Sequence, residues 1–257
     1  MMKRRLVLVT GAARRLGRAI ALELAAHGWD VAVHYRRSPA DAEQTAAELR
    51  AAGARADTFA ADLADEMACE ALVSTVASRM GPLSAVVNNA SLFEHDDVRT
   101  LRYDTLARHW RSNTAAAIVL ARALHAHRGT VPAGDACVVN LLDQKLFNPN
   151  PDHLSYTLSK AALHAATPLL AQALAPLLRV CGIAPGLTLE GPQIDAQRLA
   201  ALKAAGPLGH GVDAHDVAHA VRFVLENPSV TGSTLLVDAG SHLMRRARDY
   251  AFPEDLA

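Results

Sequence analysis

The chain has 257 residues and carries 26 Lys+Arg against 26 Asp+Glu, a balance that removes the positive field expected of a nucleic-acid binder. Half of it is apolar, yet runs such as 6–9 and 115–121 fall far short of the roughly 20 residues a membrane-spanning helix needs, so no membrane partner is expected. The basic start leads into too few apolar residues for an export signal, and Cys69, Cys137 and Cys181 are widely spaced without a CxxC pair, so the expected setting is the reducing cytoplasm.

Segment 5–10, Arg-Leu-Val-Leu-Val-Thr, is a short apolar run followed at once by glycine and then by Leu16, Ile20 and Leu24 at helical spacing. This predicts a strand, a turn and a helix. The unit repeats, with strands at 30–35, 56–60 and 85–88 and helices at 39–52 and 66–80. Gly28 and Gly53 fall just beyond predicted helices, where a left-handed terminal residue is commonly needed. A long helical stretch at 103–127 leads to a strand at 136–142, and a second at 156–177 leads to a strand at 179–183. Segment 188–211, with prolines and glycines among alanine-rich turns, interrupts the rhythm and is expected to be a mobile flap over the site. A helix at 214–226 and a strand at 233–237 close the pattern. The expected fold is α/β: a single-domain Rossmann-like doubly wound parallel sheet of about seven strands with helices on both faces, spanning 1–257. His215 and His219 stand four apart on a predicted helix, but the sequence shows no third ligand, so no metal site is expected.

Two regions carry chemistry. After the first strand, Thr10-Gly11-Ala12-Ala13-Arg14-Arg15-Leu16-Gly17 forms a turn whose glycines would let backbone N–H groups approach a pyrophosphate at a helix N-terminus. The second strand ends in His34-Tyr35-Arg36-Arg37-Ser38 and lacks the acid that would hold a ribose 2′-hydroxyl. Guanidinium groups and a serine hydroxyl there suit a 2′-phosphate, so NADPH is the expected cofactor. Further along, Tyr156 and Lys160 stand four apart and share one helix face, where the ammonium could lower the tyrosine pKa and make it a proton donor.

In this order the motifs resemble the short-chain dehydrogenase/reductase family over nearly the whole chain. They are the 10–17 loop, Asp62-Leu63, Asn88-Asn89-Ala90, Asn113, the Tyr156/Lys160 pair and Pro185-Gly186. The resemblance implies that Gly11, Arg14, Leu16 and Gly17 hold the pyrophosphate side of the cofactor. It implies Asp62 and Leu63 near the adenine, Asn89, Ala90 and Ser91 along the cofactor, and Lys160 on the nicotinamide ribose. Asn113 would sit on a proton-relay water, and Pro185, Gly186 and Thr188 would flank the nicotinamide.

Two departures are informative: Arg15 stands where the family usually has glycine, and Asp143 where it has a serine that bonds a substrate carbonyl. A carboxylate there would repel a carbonyl oxygen but can accept N–H bonds or orient the tyrosine hydroxyl. Both departures resemble the pteridine and dihydromonapterin reductase branch, as do the 34–38 segment, Asn88-Asn89-Ala90-Ser91-Leu92-Phe93 and Pro185-Gly186-Leu187. That resemblance implies a pterin ring between nicotinamide and Phe93, with Arg15, Ser91, Asp143, Tyr156, Gly186 and Leu187 around it. It also implies hydride transfer from NADPH to a C=N carbon, with Tyr156 protonating the adjacent nitrogen. A homotetramer, with the C-terminal tail on a neighbour's site, is expected by the same likeness. A carbonyl reductase acting on a 3-oxoacyl thioester or sugar is the alternative, against which Asp143 argues; a non-catalytic NADPH-binding regulatory protein is a third, against which Asn113, Tyr156 and Lys160 argue.

Overall fold

In β1 (Arg5–Val9) the side chains of Val7 and Val9 enter one apolar layer and those of Leu6 and Leu8 the opposite one, and all four are buried. A strand covered on both faces needs a continuous rather than an alternating apolar run, which is what the sequence carries. Burial on both faces also holds along most of β2 (Trp29–Tyr35), β4 (Leu83–Asn88), β5 (Cys137–Leu141) and β6 (Arg179–Pro185), while the edge strands β3 (Ala56–Ala60) and β7 (Thr234–Val237) are more open. All pair in parallel in the order β3-β2-β1-β4-β5-β6-β7, in register such that Val7 lies opposite Val31 on one side and Ala85 on the other. The computed structural model describes residues 4–129, 136–191 and 193–252.

One face of this sheet is covered by α1 (Arg15–Ala26), α2 (Pro39–Ala51) and α8 (Ala214–Glu226), through Ile20, Leu24, Leu49, Val217 and Val221. The other is covered by α3 (Glu66–Met80) and α5 (Ala116–Arg128), through Leu72, Val76, Leu120 and Leu124, with Ala171 of α6 (Leu154–Ala173). The strand order reverses between β1 and β4, and in open α/β sheets the crevice at that point, beyond the carboxyl ends of the strands, receives ligands. Gly28 and Gly53 adopt φ +87° and +84°, the left-handed terminal conformations their positions predict. Among the described residues no helix is long and apolar enough to cross a membrane, and all three cysteines are buried.

The structure departs from the predicted elements in three places. The 103–127 helix divides into α4 (Tyr103–His109), a π-helical turn at Trp110–Ala115 and α5. The widened turn carries Asn113, whose side chain is held by the Leu92 backbone on one side and Ser159 on the other; π turns of this kind recur at functional sites. Next, α6 begins before Tyr156, because Asp96 accepts hydrogen bonds from the Ser155 backbone and hydroxyl. Within 188–211 the alanine-rich stretch is not turn but helix α7 (Ala196–Ala204), capped by Asp195, which accepts from Arg198 N at 2.8 Å. Alanine is the strongest helix former, and the glycines of this segment lie outside the helix. None of the α7 residues is buried.

The tail expected on a neighbouring subunit packs, as far as it is described, on its own chain. Arg248 holds Asp152 through two nitrogens, at 2.9 Å from each carboxylate oxygen, and Asp249 reaches buried Lys145 at 3.2 Å.

Candidate active site

The β1–α1 loop is fixed from below. Thr10 Oγ1 accepts from the backbone N–H groups of Asn89 (2.9 Å) and Ala90 (3.0 Å), and Asn89 Nδ2 donates to Thr10 O at 2.8 Å. The end of β4 lies so close to the loop that a Cβ on Gly17 would come within 2.6 Å of Asn89 Nδ2, and within 2.3 Å of Gly11 O across the turn. Gly11 itself sits at φ +63°. Arg14, at the N-cap of α1, carries only donors and so leaves the first-turn N–H groups without a side-chain cap, at a helix start whose residues 14–17 line the cleft. Arg15 adopts φ +55° where glycine would be unstrained, at a cost of about 1–2 kcal/mol. Its guanidinium donates to Glu190 O at 2.6 Å, joining the loop to segment 188–211.

His34 is the hidden support of this loop. Its Nδ1 accepts from the Gly11 backbone N–H at 3.0 Å and its Nε2 donates to Ala61 O at 3.2 Å, which requires the neutral ring. Burial pulls its pKa down from 6.5 to about 4, against the opposing pull of the Ala61 carbonyl and Asp62. Since the folded value is depressed, the unfolded chain takes up the proton first, and stability falls as pH drops below 6.5 and levels off below about 4. The difference is worth about 3 kcal/mol. Denaturant unfolding near neutral and near pH 4 should show wild type losing that much more than His34→Asn, whose amide oxygen keeps an acceptor for Gly11 without titrating. Equal losses would contradict the role assigned to His34.

A cleft of about 500 Å³ opens above the loop. It is lined by Gly11, Arg14, Arg15, Leu16 and Gly17, by Tyr35, Arg36, Arg37 and Ser38, and by Asp62, Leu63, Asn89, Ala90 and Ser91, all of them residues the sequence had marked. Ala13, His34, Leu92 and Ser112 line it as well and were not marked as cofactor contacts. Arg36 and Arg37 are exposed, and neither makes a hydrogen bond or ion pair among the described residues. Two unengaged guanidinium groups beside Ser38, an uncapped helix start and no acid at the end of β2 fit a dinucleotide carrying a 2′-phosphate. Pro185, Gly186 and Thr188 lie outside this lining, at and just beyond the end of β6, half-buried. A Cβ on Gly186 would come within 2.8 Å of Asp238 Cα, so the backbones touch there.

At the reacting end, Tyr156 and Lys160 project from α6 and meet Asp143, which follows β5. The Tyr156 hydroxyl donates to Asp143 Oδ2 at 2.7 Å, while Asp143 Oδ1 accepts from Lys145 N at 2.8 Å. Lys160 Nζ donates to Leu141 O at 2.6 Å and stands 5.8 Å from the Tyr156 ring centre. The expected lowering of the tyrosine pKa by the lysine is therefore not what the geometry gives. Tyr156 is pushed well above 10, first by burial and then by the Asp143 charge and hydrogen bond. Burial likewise raises Asp143 and lowers Lys160 to about 8. The result is a neutral phenol held by hydrogen bond against a carboxyl group that resists ionisation, so the proton stays on the Tyr156 hydroxyl.

Phe93 stands half-exposed over this pair. Its ring stacks on His153 (centroids 4.1 Å, 21° between planes) and meets Tyr156 edge-on at 4.7 Å. His153, absent from the expected site, starts α6 at φ +53° and bonds Glu94 O at 3.2 Å. Ser91 Oγ reaches Asn113 Oδ1 at 3.3 Å, and Asn113 also accepts from Leu92 N at 2.7 Å. Asn113 thus anchors the loop that presents Ser91 and Phe93, in addition to any part in proton relay. Leu187, half-buried, follows Gly186 on the strand-end loop.

A family model described as enoyl-(acyl carrier protein) reductase matches residues 11–242. Among solved structures, the chain is similar to FolM alternative dihydrofolate reductase 1 from Brucella canis, complexed with NADP, at 38% identity and TM-score 0.89, covering 97% of this chain and 98% of that one. It is also similar to a blue fluorescent protein from a metagenomic library in complex with NADPH, at 30% identity and TM-score 0.83, covering 92% and 97%. A 3-oxoacyl-[acyl-carrier-protein] reductase, FabG, of Staphylococcus aureus is 28% identical over 247 residues, 92% of this chain and 97% of that protein.

Proposed function

The chain belongs to the short-chain dehydrogenase/reductase family of oxidoreductases, and we propose that it is an NADPH-dependent reductase of the C=N bond of a pterin or dihydropterin. The observation that carries this reading is the Tyr156 hydroxyl hydrogen-bonded to Asp143 beneath the Phe93 ring. A pterin offers a flat face to an aromatic ring and N–H groups to a carboxyl oxygen, whereas a carbonyl substrate brings no N–H for Asp143 to accept. The likeness to a protein solved as an alternative dihydrofolate reductase with NADP adds support.

NADPH, when bound, supplies the hydride. Arg36, Arg37 and Ser38 would hold its 2′-phosphate, and the N-terminus of α1 with Gly11 and Gly17 its pyrophosphate. Asp62 and Leu63 would flank the adenine, and Asn89, Ala90 and Ser91 the length between. Lys160 would turn from Leu141 O to the nicotinamide ribose, with Pro185, Gly186 and Thr188 beside the ring. On the substrate side Phe93 covers one face, and Arg15, Ser91, Gly186 and Leu187 border it. Tyr156 gives its proton to the substrate nitrogen, and Asp143 orients the hydroxyl and restores the proton. Segment 188–211, joined to the phosphate loop through Arg15, would cover the site. A cytoplasmic location and a homotetramer complete the proposal; the three buried cysteines, spaced without a CxxC pair, suit the first.

The test is Asp143→Ser. With dihydrobiopterin, kcat/KM should fall by about 10²-fold, the range for losing one general-acid partner, while NADPH affinity is unchanged. Undiminished pterin turnover, or a gain confined to 3-oxoacyl esters from no pterin activity in wild type, would favour a carbonyl reductase.

A further inference from the structure

Away from the cleft, α1 and α8 cross with one carboxylate between them. Glu23 is 7% exposed, and its Oε1 accepts no hydrogen bond of acceptable geometry, though four cationic or imidazole groups surround it. On α8, His219 Nε2 stands 3.3 Å from Glu23 Oε1 and His215 Nε2 3.7 Å from Oε2. The sequence shows the two histidines four apart on one helix face but not the third group, which lies almost two hundred positions earlier on another helix and which the fold brings beside them. One atom each from Glu23, His215 and His219 falls within 4.8 Å of the others.

We propose that Glu23, His215 and His219 form a binding site for a late first-row divalent ion of the zinc class. Zinc bonds imidazole nitrogen and carboxylate oxygen at about 2.0–2.2 Å, and a tetrahedron of that size has ligand edges of about 3.3–3.5 Å. The 3.3 Å between His219 Nε2 and Glu23 Oε1 is already the length of one such edge, and the exposed His215 side chain, with Nε2 3.7 Å from Oε2, has a short swing to make to complete the set. Two imidazoles and one carboxylate favour zinc, nickel or copper over calcium or magnesium, which want oxygen. Both histidines are at least 45% exposed on their side chains, so an ion can enter from solvent, while the buried carboxylate supplies the neutralising charge. His27 Nδ1 bonds the Glu23 carbonyl at 2.8 Å, which commits that nitrogen to donating and leaves it a support of the site, not a ligand.

Arg222 is the competitor. Its Nε lies 2.8 Å from Glu23 Oε1, and its Nη1 already lies 3.6 Å from Glu226 Oε2, so it has a second carboxylate to turn to when an ion takes Glu23. The ion would join the helix that opens at the phosphate loop to the last helix of the sheet. None of the three ligands lines the cleft, so occupancy is separate from hydride chemistry.

The test uses the untagged, chelator-treated full chain titrated with zinc by calorimetry, and with cobalt followed by its visible spectrum. One ion per chain should bind with a Kd below about 10 µM, weaker than four-ligand structural sites. His215→Ala and His219→Ala should each weaken binding at least tenfold, and His210→Ala, an exposed histidine elsewhere, should not. Because both ligand histidines are exposed, these variants should fold. Absence of saturable binding, a Kd well above that limit, or affinity unchanged when both histidines are replaced would overturn the proposal.

Discussion

Tyr156→Phe is expected to lower kcat for a dihydropterin by about 10²–10⁴-fold, the usual contribution of a positioned general acid, and to leave NADPH affinity within about twofold. The ring, its edge contact with Phe93 and its burial in α6 are all retained; only the hydroxyl that faces Asp143 is removed. Loss should therefore appear in turnover rather than in cofactor binding. Asp143 would be left without the phenol that now fills one of its oxygens, and burial already disfavours its charge. Single-turnover NADPH oxidation gives the first quantity and cofactor fluorescence titration the second. Unchanged turnover would remove Tyr156 from the mechanism.

The second large effect is on cofactor choice. Replacing Arg36 and Arg37 together by alanine is expected to weaken NADPH binding by about 10²-fold or more, since each charge-assisted bond to a phosphate is worth about 1.5–3 kcal/mol. NADH binding should change little, because it lacks the phosphate these side chains would meet. Neither arginine holds another part of the fold among the described residues, so a loss of affinity would not reflect unfolding. Parallel titrations of both nucleotides check this. An equal loss for NADPH and NADH would mean that the turn only adds general positive charge.

The strand-and-helix alternation was legible because central strands such as β1, buried on both faces, must be apolar throughout, and the segments 56–60, 66–80 and 214–226 coincide with β3, α3 and α8. What one residue at a time cannot reveal is a partner distant in sequence. The π turn at 110–115 follows from Asn113 reaching the Leu92 backbone, and α6 starts early because Asp96 caps it. Helix α7 was hidden by the glycines and prolines around it. The residues lining the cleft were readable as an ordered set of motifs, yet His34 was missed as a loop support, although a histidine within a buried strand is itself a signal. The relation of Tyr156 to Lys160 was read from helix spacing alone, which says nothing about Asp143 approaching the hydroxyl from β5 and reversing the direction of the tyrosine shift.

The most direct measurement is NADPH oxidation by the purified chain with dihydrobiopterin, dihydrofolate and a simple 3-oxoacyl ester side by side, at neutral and mildly acidic pH. Turnover of a pterin or dihydrofolate with none of the ester is the predicted result; turnover of the ester alone would contradict a pterin site built on Phe93, Asp143 and Tyr156.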